Sequence, residues 1–289
     1  MAEPKEIKAL FTLIDDPDEE VYNTVQERLM SYGNTIIPNL ENLWENTVSE
    51  DVQQRIEMII HHIQYRDLTE EFLNWKSGGT ELLFGALLVA KYQYPDMQSI
   101  NALQEIEKIR RNIWIEMNSY LTPMEQVKIM DSILYNYYKM RGGEIAYAKP
   151  NEFMLHLALE SKKGNAITTG VLYQVLCELL DIPMRIISIP QQFLLGYFDP
   201  QLAFKSQGGH PAEKIRFYVD PSNGAAHSHQ DIENYFKRIS VPPTPSYFKP
   251  MSNVRIIQLM LEELSKCFDD VKNDYKRIDL MKLSQLLDD

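Results

Sequence analysis

Lys163-Gly164-Asn165-Ala166-Ile167-Thr168-Thr169-Gly170-Val171-Leu172-Tyr173 continues to Leu180 and closes on Asp181-Ile182-Pro183-Met184-Arg185. Ile167, Val171, Leu172, Leu176, Leu179 and Leu180 recur at helical spacing, the period of an element with 3.6 residues per turn. Asn165 suits the N-cap, where a side-chain oxygen accepts one of the N–H groups that the first turn leaves unpaired. Pro183 ends the helix, because a proline disfavours helical geometry in the residue before it. The spacing therefore predicts a buried helix entered through a tight glycine turn at Gly164 and followed by a strand.

Downstream, Met184 to Phe198 is rich in Ile, Leu, Phe and Tyr, and Ile215 to Val219 is a second β-type run. The second run ends on Asp220-Pro221-Ser222-Asn223-Gly224, a turn composition, and two adjacent strands are expected. The polar stretch Gln201 to Glu213 reads as an exposed connection. A short helix over Ile232 to Ile239, an extended proline-rich connector from Pro242 to Pro250 and two helical segments over 252–289 complete the chain.

Upstream the pattern is helical. Ile7 to Asn46 reads as a helix, a turn at Asp15-Asp16-Pro17, a helix carrying Val21, Val25 and Leu29, a break at Gly33 and a third helix opened by Ile37-Pro38, with a vaguer unit after Ser49. An Asp-Pro turn before a helix with a spaced valine is HEAT-like, though one clear unit points to a lobe and not to an array. Leu82 to Tyr92 is an apolar helix stopped at Tyr94-Pro95-Asp96. Residues 97–118 form a charged helix with Ile100, Leu103, Ile106, Ile109, Ile113 and Trp114 on one stripe. Thr122-Pro123 starts another helix, running to about Lys139. The composition changes at Arg141-Gly142-Gly143. The expected organisation is a helical lobe over 1–118, a core over 119–245 and a helical segment over 246–289, in an α+β, mainly α class.

Gly164-Asn165 before the central helix, the Ile182-Pro183-Met184-Arg185 close, Pro190-Gln191-Gln192-Phe193, and Asp220-Pro221 with Asn223-Gly224 follow one another in an order that resembles the transglutaminase-like superfamily. With Tyr94-Pro95-Asp96 in a helical N-terminal region, the nearest likeness is to its SirB-type branch. The resemblance implies a cysteine-peptidase-like core with a small antiparallel sheet. In active members a cysteine opens the central helix, where the dipole and unpaired N–H groups favour its thiolate, while a histidine on the facing strand takes the proton and an aspartate orients that histidine.

Counting back from Ile182-Pro183-Met184-Arg185 puts the nucleophile position at Ala166, and the histidine position falls on Gln192; of the triad, Asp220 alone remains. Alanine has no nucleophilic atom, and a carboxamide cannot shuttle protons near neutral pH. The resemblance thus implies a degenerate triad, Ala166, Gln192 and Asp220, with Ala166 opening the central helix toward Gln192 and Asp220 on a neighbouring strand. Asn165, Thr168, Thr169, Gln191 and Asn223 are the candidates for lining the surviving cleft. No cofactor and no metal is implied.

Simpler roles compete at each position. Asp220 can cap the turn into Asn223-Gly224, and Thr168 and Thr169 can bond backbone in the first helical turn. Cys177 is the obvious substitute nucleophile, yet it lies three turns into an apolar helix, where a cysteine behaves as a small hydrophobe. His227 and His229, with His210 upstream, have a spacing that puts two imidazoles on one strand face, as some metal sites need, but a solvated turn is the plainer reading. His61, His62 and His156 fall in helical stretches as surface or satisfied core residues. The Tyr135, Tyr137 and Tyr138 stripe suits packing between modules.

With 29 Lys and Arg against 41 Asp and Glu, the net charge of −12 repels nucleic-acid phosphates and anionic lipid. No run of about 18 apolar residues and no basic-then-apolar start is present, and the two cysteines lack a disulfide or zinc pattern; a cytoplasmic chain is expected. The sequence favours a non-catalytic protein that binds protein or peptide through the degenerate cleft and the helical lobe. The alternatives are a hydrolase or acyl transferase with an unrecognised nucleophile, and a regulator recruiting partners through its acidic helices.

Overall fold

A computed structural model describes residues 4–205 and 209–288, without the side chains of 203–205. Part of the expected Gln201–Glu213 connection, and the first three residues of the chain, lie outside the described residues. The chain forms two compact units, Met1–Glu71 and Phe72–Asp289, a division that does not coincide with the break expected near 118.

The first unit holds α1 (Pro4–Leu13), α2 (Glu19–Met30), a 3₁₀ turn at Gly33–Ile36 and α3 (Ile37–Glu45). Asp18 caps α2 by accepting from Glu20 N, as the Asp-Pro-Asp composition suggests. Val25, Leu29, Ile36 and Leu40 pack with Ile56, Ile59 and Ile63 in one core. The segment after Ser49 is not a second short unit but the start of one helix, α4 (Glu50–Gly78).

The second unit contains α5 (Leu82–Gln93), α6 (Ser99–Glu116), α7 (Pro123–Asp131) and a π-helical turn over Ser132–Tyr137. Strand β1 (Arg141–Gly143), α8 (Leu155–Ser161), β2 (Lys163–Asn165) and α9 (Ala166–Leu179) follow. Next come β3 (Met184–Ile189), β4 (Gln192–Phe198), α10 (Pro200–Lys205), β5 (Ile215–Asp220), β6 (Ala225–His227) and α11 (His229–Ile239), then α12 (Asn253–Ser265) and α13 (Asp274–Leu286). The fold is mainly helical with a small antiparallel sheet of order β3-β4-β5-β6. On α6 the buried stripe is Ala102, Ile106, Ile109 and Ile113, while Ile100 and Trp114 are exposed.

Two sequence readings change in detail. Met184 to Phe198 is a hairpin and not one strand: Ile189 pairs with Gln192 across a two-residue turn of Pro190 and Gln191. Proline presets the first turn position, and Gln191 takes a left-handed φ of +61° where glycine is usual. The glycine entry to α9 is a strand pairing, with β1 and β2 parallel and Gly142 opposite Gly164.

The sheet is covered on both faces. Ile187, Ile189, Leu194, Ile215 and Tyr218 pack with Ile232 and Phe236 of α11 and with Phe248, which makes the proline-rich connector a buried strut at that point. The opposite face meets α9, where Gly170 admits the Phe193 ring; a Cβ there would fall 2.5 Å from Phe193 Cε1.

Gly142 sets the tightest approach. Its N–H donates to Ser222 O at 2.9 Å, and a Cβ would collide with Ser222 Cα while standing 2.9 Å from Thr169 Oγ1. Gly142→Ala should therefore destabilise the second unit by about 1–3 kcal/mol, the range for overpacking a tight site, measured as a lower urea midpoint. Gly143→Ala, whose Cβ would meet nothing nearer than 3.8 Å, is the control, and equal losses in both variants would refute this account of the junction.

Candidate functional site

Helix α9 begins at Ala166, and Asn165 caps it: Oδ1 accepts from Thr168 N at 2.9 Å and from Thr168 Oγ1 at 3.2 Å. Asn165 is fully buried, and its Nδ2 finds no protein partner. Ala166, half-buried, lines a cavity of about 680 Å³ together with Gln191, Gln192 and Asp220. The wall also takes Gly142, Ser188, Ser222, Glu144, Glu263 and the apolar Ile145, Ile189 and Leu259.

Ala166, Gln192 and Asp220 thus share one cavity. Gln192 and Asp220 lie on the same sheet face, since Gln192 and Gly196 have the same strand parity, Gly196 pairs with Tyr218, and Tyr218 shares its parity with Asp220. That face is the one packed by α11. The residue turned to α9 is Phe193, so Gln192 meets the cavity from the end of the hairpin, not from a position directly facing the helix.

Asp220 lines the cavity and also holds its turn: Oδ1 accepts from Ser222 N at 2.8 Å, and its carbonyl accepts from Gly224 N at 2.8 Å. Of the other cleft candidates only Gln191 reaches the wall. Thr168 and Thr169 are buried, and Thr169 Oγ1 donates to Asn165 O at 2.9 Å, so their hydroxyls serve the helix start. Asn223 is exposed and accepts from Ala225 N, completing the turn.

No histidine or cysteine among the described residues lines this cavity. His227 ends β6 whereas His229 begins α11, so they do not share a strand face. His229 is within 2.8 Å of Ile215 O through Nε2 and 3.2 Å of Tyr218 Oη through Nδ1, and His210 Nδ1 accepts from Ala212 N. Among the described residues no group of three or more His, Cys, Asp or Glu is placed to hold a metal ion. Cys177 is fully buried 3.7 Å from Met130 Sδ, and burial pushes its thiol well above the ordinary range. Cys267, half-buried, is pushed up to about 11 for the same reason.

Sequence reasoning missed the seat of the Asp220–Gly224 turn. Tyr135 Oη donates to Pro221 O at 2.7 Å, and Gly224, at φ +77°, lies so close to the Asp131 carboxyl and the Tyr135 ring that a Cβ would fall within 2.8 Å of both. Tyr173 Oη donates to Asp131 Oδ1 at 3.0 Å, joining α9 to the end of α7. The tyrosines are not one stripe: Tyr135 and Tyr138 are buried, Tyr137 exposed. Asp131 and Tyr135 stand four residues apart in the helix predicted from Thr122-Pro123, which puts them on one face, but nothing in the sequence marks Tyr173, on α9, as their neighbour.

Burial raises the Asp131 carboxyl to about 7, against the lowering effect of the Tyr173 hydrogen bond. A carboxyl raised in the folded state favours folding fully below its unfolded value of about 4, and that contribution is lost as pH rises through about 7. Asp131→Asn, which keeps the acceptor for Tyr173, should remove this loss. Urea unfolding at pH 5 and pH 8 should show the wild type losing about 2–3 kcal/mol relative to the variant between the two pH values; parallel pH profiles would sink the assignment.

A family model described as transglutaminase-like superfamily matches residues 100–262, more than half of the chain. No curated protein and no solved structure matches it. The matched span begins in α6 and ends in α12, and takes in β1, the capped start of α9, the hairpin and the Asp220 turn. The chain belongs to the transglutaminase-like superfamily.

Proposed function

We propose that the chain is a non-catalytic member of this superfamily, of its SirB-type branch, whose cleft holds a peptide-like segment in the cytoplasm without cleaving or transferring it. One observation carries the reading: among the described residues, the cavity wall where the family's chemistry would sit contains neither a thiol nor an imidazole. The wall instead offers the Gln191 and Gln192 carboxamides, the Ser188 and Ser222 hydroxyls and an apolar side from Ile145, Ile189 and Leu259. A mixed lining of this kind suits a peptide, whose backbone needs donors and acceptors and whose side chains need apolar contact. The HEAT-like unit gives a second surface for a protein partner. Among the described residues no helix is long and apolar enough to cross a membrane.

Thiol chemistry tests the absence of catalysis. Neither Cys177 nor Cys267 should react with iodoacetamide at pH 7 before denaturation, and no peptide or ester substrate should turn over. Turnover abolished by Cys177→Ser would overturn the reading.

The geometry has its own test. A thiol introduced by Ala166→Cys stands at a helix N-terminus, where the thiolate is favoured, so it should label at least about tenfold faster at pH 7 than a model thiol of pKa ~8.5. Adding Gln192→His should accelerate it further. Ordinary reactivity in both variants would show that position 166 is not the nucleophile's place.

Binding is tested by displaying random heptapeptides to the immobilised full chain and to an Ala166→Trp variant that fills the cavity. Enrichment on the wild type that Ala166→Trp loses is expected; equal enrichment on both would put the binding surface outside the cleft.

A further inference from the structure

A larger cavity, about 820 Å³, lies in the second unit away from the cleft, walled by the connection between α5 and α6, by α6 and by α8. Two of its lining residues carry buried polar atoms that no protein group satisfies, Gln93 Oε1 and His156 Nδ1. Native interiors rarely leave such atoms unmatched, and here two of them border the same space. Both can accept hydrogen bonds. Burial holds the His156 imidazole below its ordinary value, so the ring is neutral at pH 7 and has one nitrogen free of hydrogen.

The walls add an aromatic surface and uncompensated negative charge. The Tyr94 ring stands edge-on to His156, centroids 5.2 Å apart at 75°, and Tyr94 Oη donates to Asn151 Oδ1 at 2.8 Å, which fixes the ring. The cavity's one cation among the described residues, Lys162, is paired with Glu105 at 2.8 Å. Asp96 and Glu160, both exposed, line the space, and among the described residues neither has an ion-pair partner. An occupant that donates N–H to two acceptors, lies against aromatic rings and balances two carboxylates is a planar or branched nitrogen cation.

We propose that this cavity is a binding site for a guanidinium or primary ammonium group, its N–H groups donating to Gln93 Oε1 and His156 Nδ1 and its charge balanced by Asp96 and Glu160. The group can be carried by a small amine or by an Arg or Lys side chain, and the site's volume falls within the range of small-molecule pockets.

Titration calorimetry of the full chain with agmatine, with the peptide Ac-Gly-Arg-Gly-NH2 and with neutral N-butylurea tests this. Agmatine or the peptide should bind, the preferred one identifying the source, and N-butylurea should bind at least about tenfold more weakly. The exposed double change Asp96→Asn/Glu160→Gln should weaken binding about tenfold or more and flatten its salt dependence. His156→Leu should weaken it as well, with a thermal melt confirming the fold. Ala166→Trp, in the other cavity, should leave it unchanged. The proposal falls if neither cation binds at millimolar concentration, if N-butylurea binds as well as agmatine, if the double variant binds like wild type, or if Ala166→Trp abolishes binding.

Discussion

The contact between Gly142 and Ser222 is the constraint on which the cleft depends. The Gly142 backbone lies against the turn after β5 with no room for a side chain, while its strand pairs with the segment that leads into α9. One point of close approach therefore fixes the start of the buried helix relative to the Asp220 turn. The hydrogen bond from Gly142 to Ser222 gives the approach its register, and the Asn165 cap gives the helix a defined first residue. Without them Ala166 and Asp220 would belong to separate elements joined only by long stretches of chain.

A second set of interactions supports the turn from below. Asp131 and Tyr135 seat Gly224 and Pro221, and Tyr173 ties Asp131 to the middle of α9. Burying a carboxyl beside two tyrosines carries a desolvation cost, visible in its raised pKa. The arrangement couples the turn to the helix through polar groups that have few alternative partners, and such groups specify one packing more sharply than apolar contacts do. The π-helical turn at Ser132–Tyr137 follows directly on Asp131; an inserted residue of that kind rotates the side chains after it and lets Tyr135 face the turn while Tyr137 faces solvent.

Much of this was legible in the chain because it rests on local rules. Asn165 before an apolar helix, Thr122-Pro123 before another, Pro183 after the first and Asp220-Pro221-Ser222-Asn223-Gly224 each name their own structure, since caps and turns are decided within four or five residues. The hairpin at Pro190-Gln191 was missed because no glycine or asparagine announces it. The β1–β2 pairing was missed because three-residue strands carry too few side chains to show alternation, so Arg141-Gly142-Gly143 read as a boundary. Trp114 and Ile100 were placed on the same stripe as the buried isoleucines by spacing alone, although the neighbours of α6 cover a narrower arc than the sequence offers. The cation-accepting cavity lay beyond any local rule, as its walls come from α5, α6, α8 and a connecting turn, and Gln93 and His156 mean nothing together until the fold makes them neighbours.

The tip of the β3–β4 hairpin is locally frustrated. A left-handed backbone costs a side-chain-bearing residue about 1–2 kcal/mol relative to the right-handed region, and Gln191 occupies that conformation while its neighbour Pro190 cannot relax to relieve it. A backbone chosen for folding alone would carry glycine there and gain a looser tip. With glutamine the tip is stiffened, and a long carboxamide is kept at the mouth of the cavity. The Gln191 carboxamide lines the cavity wall, and the backbone bears the mismatch.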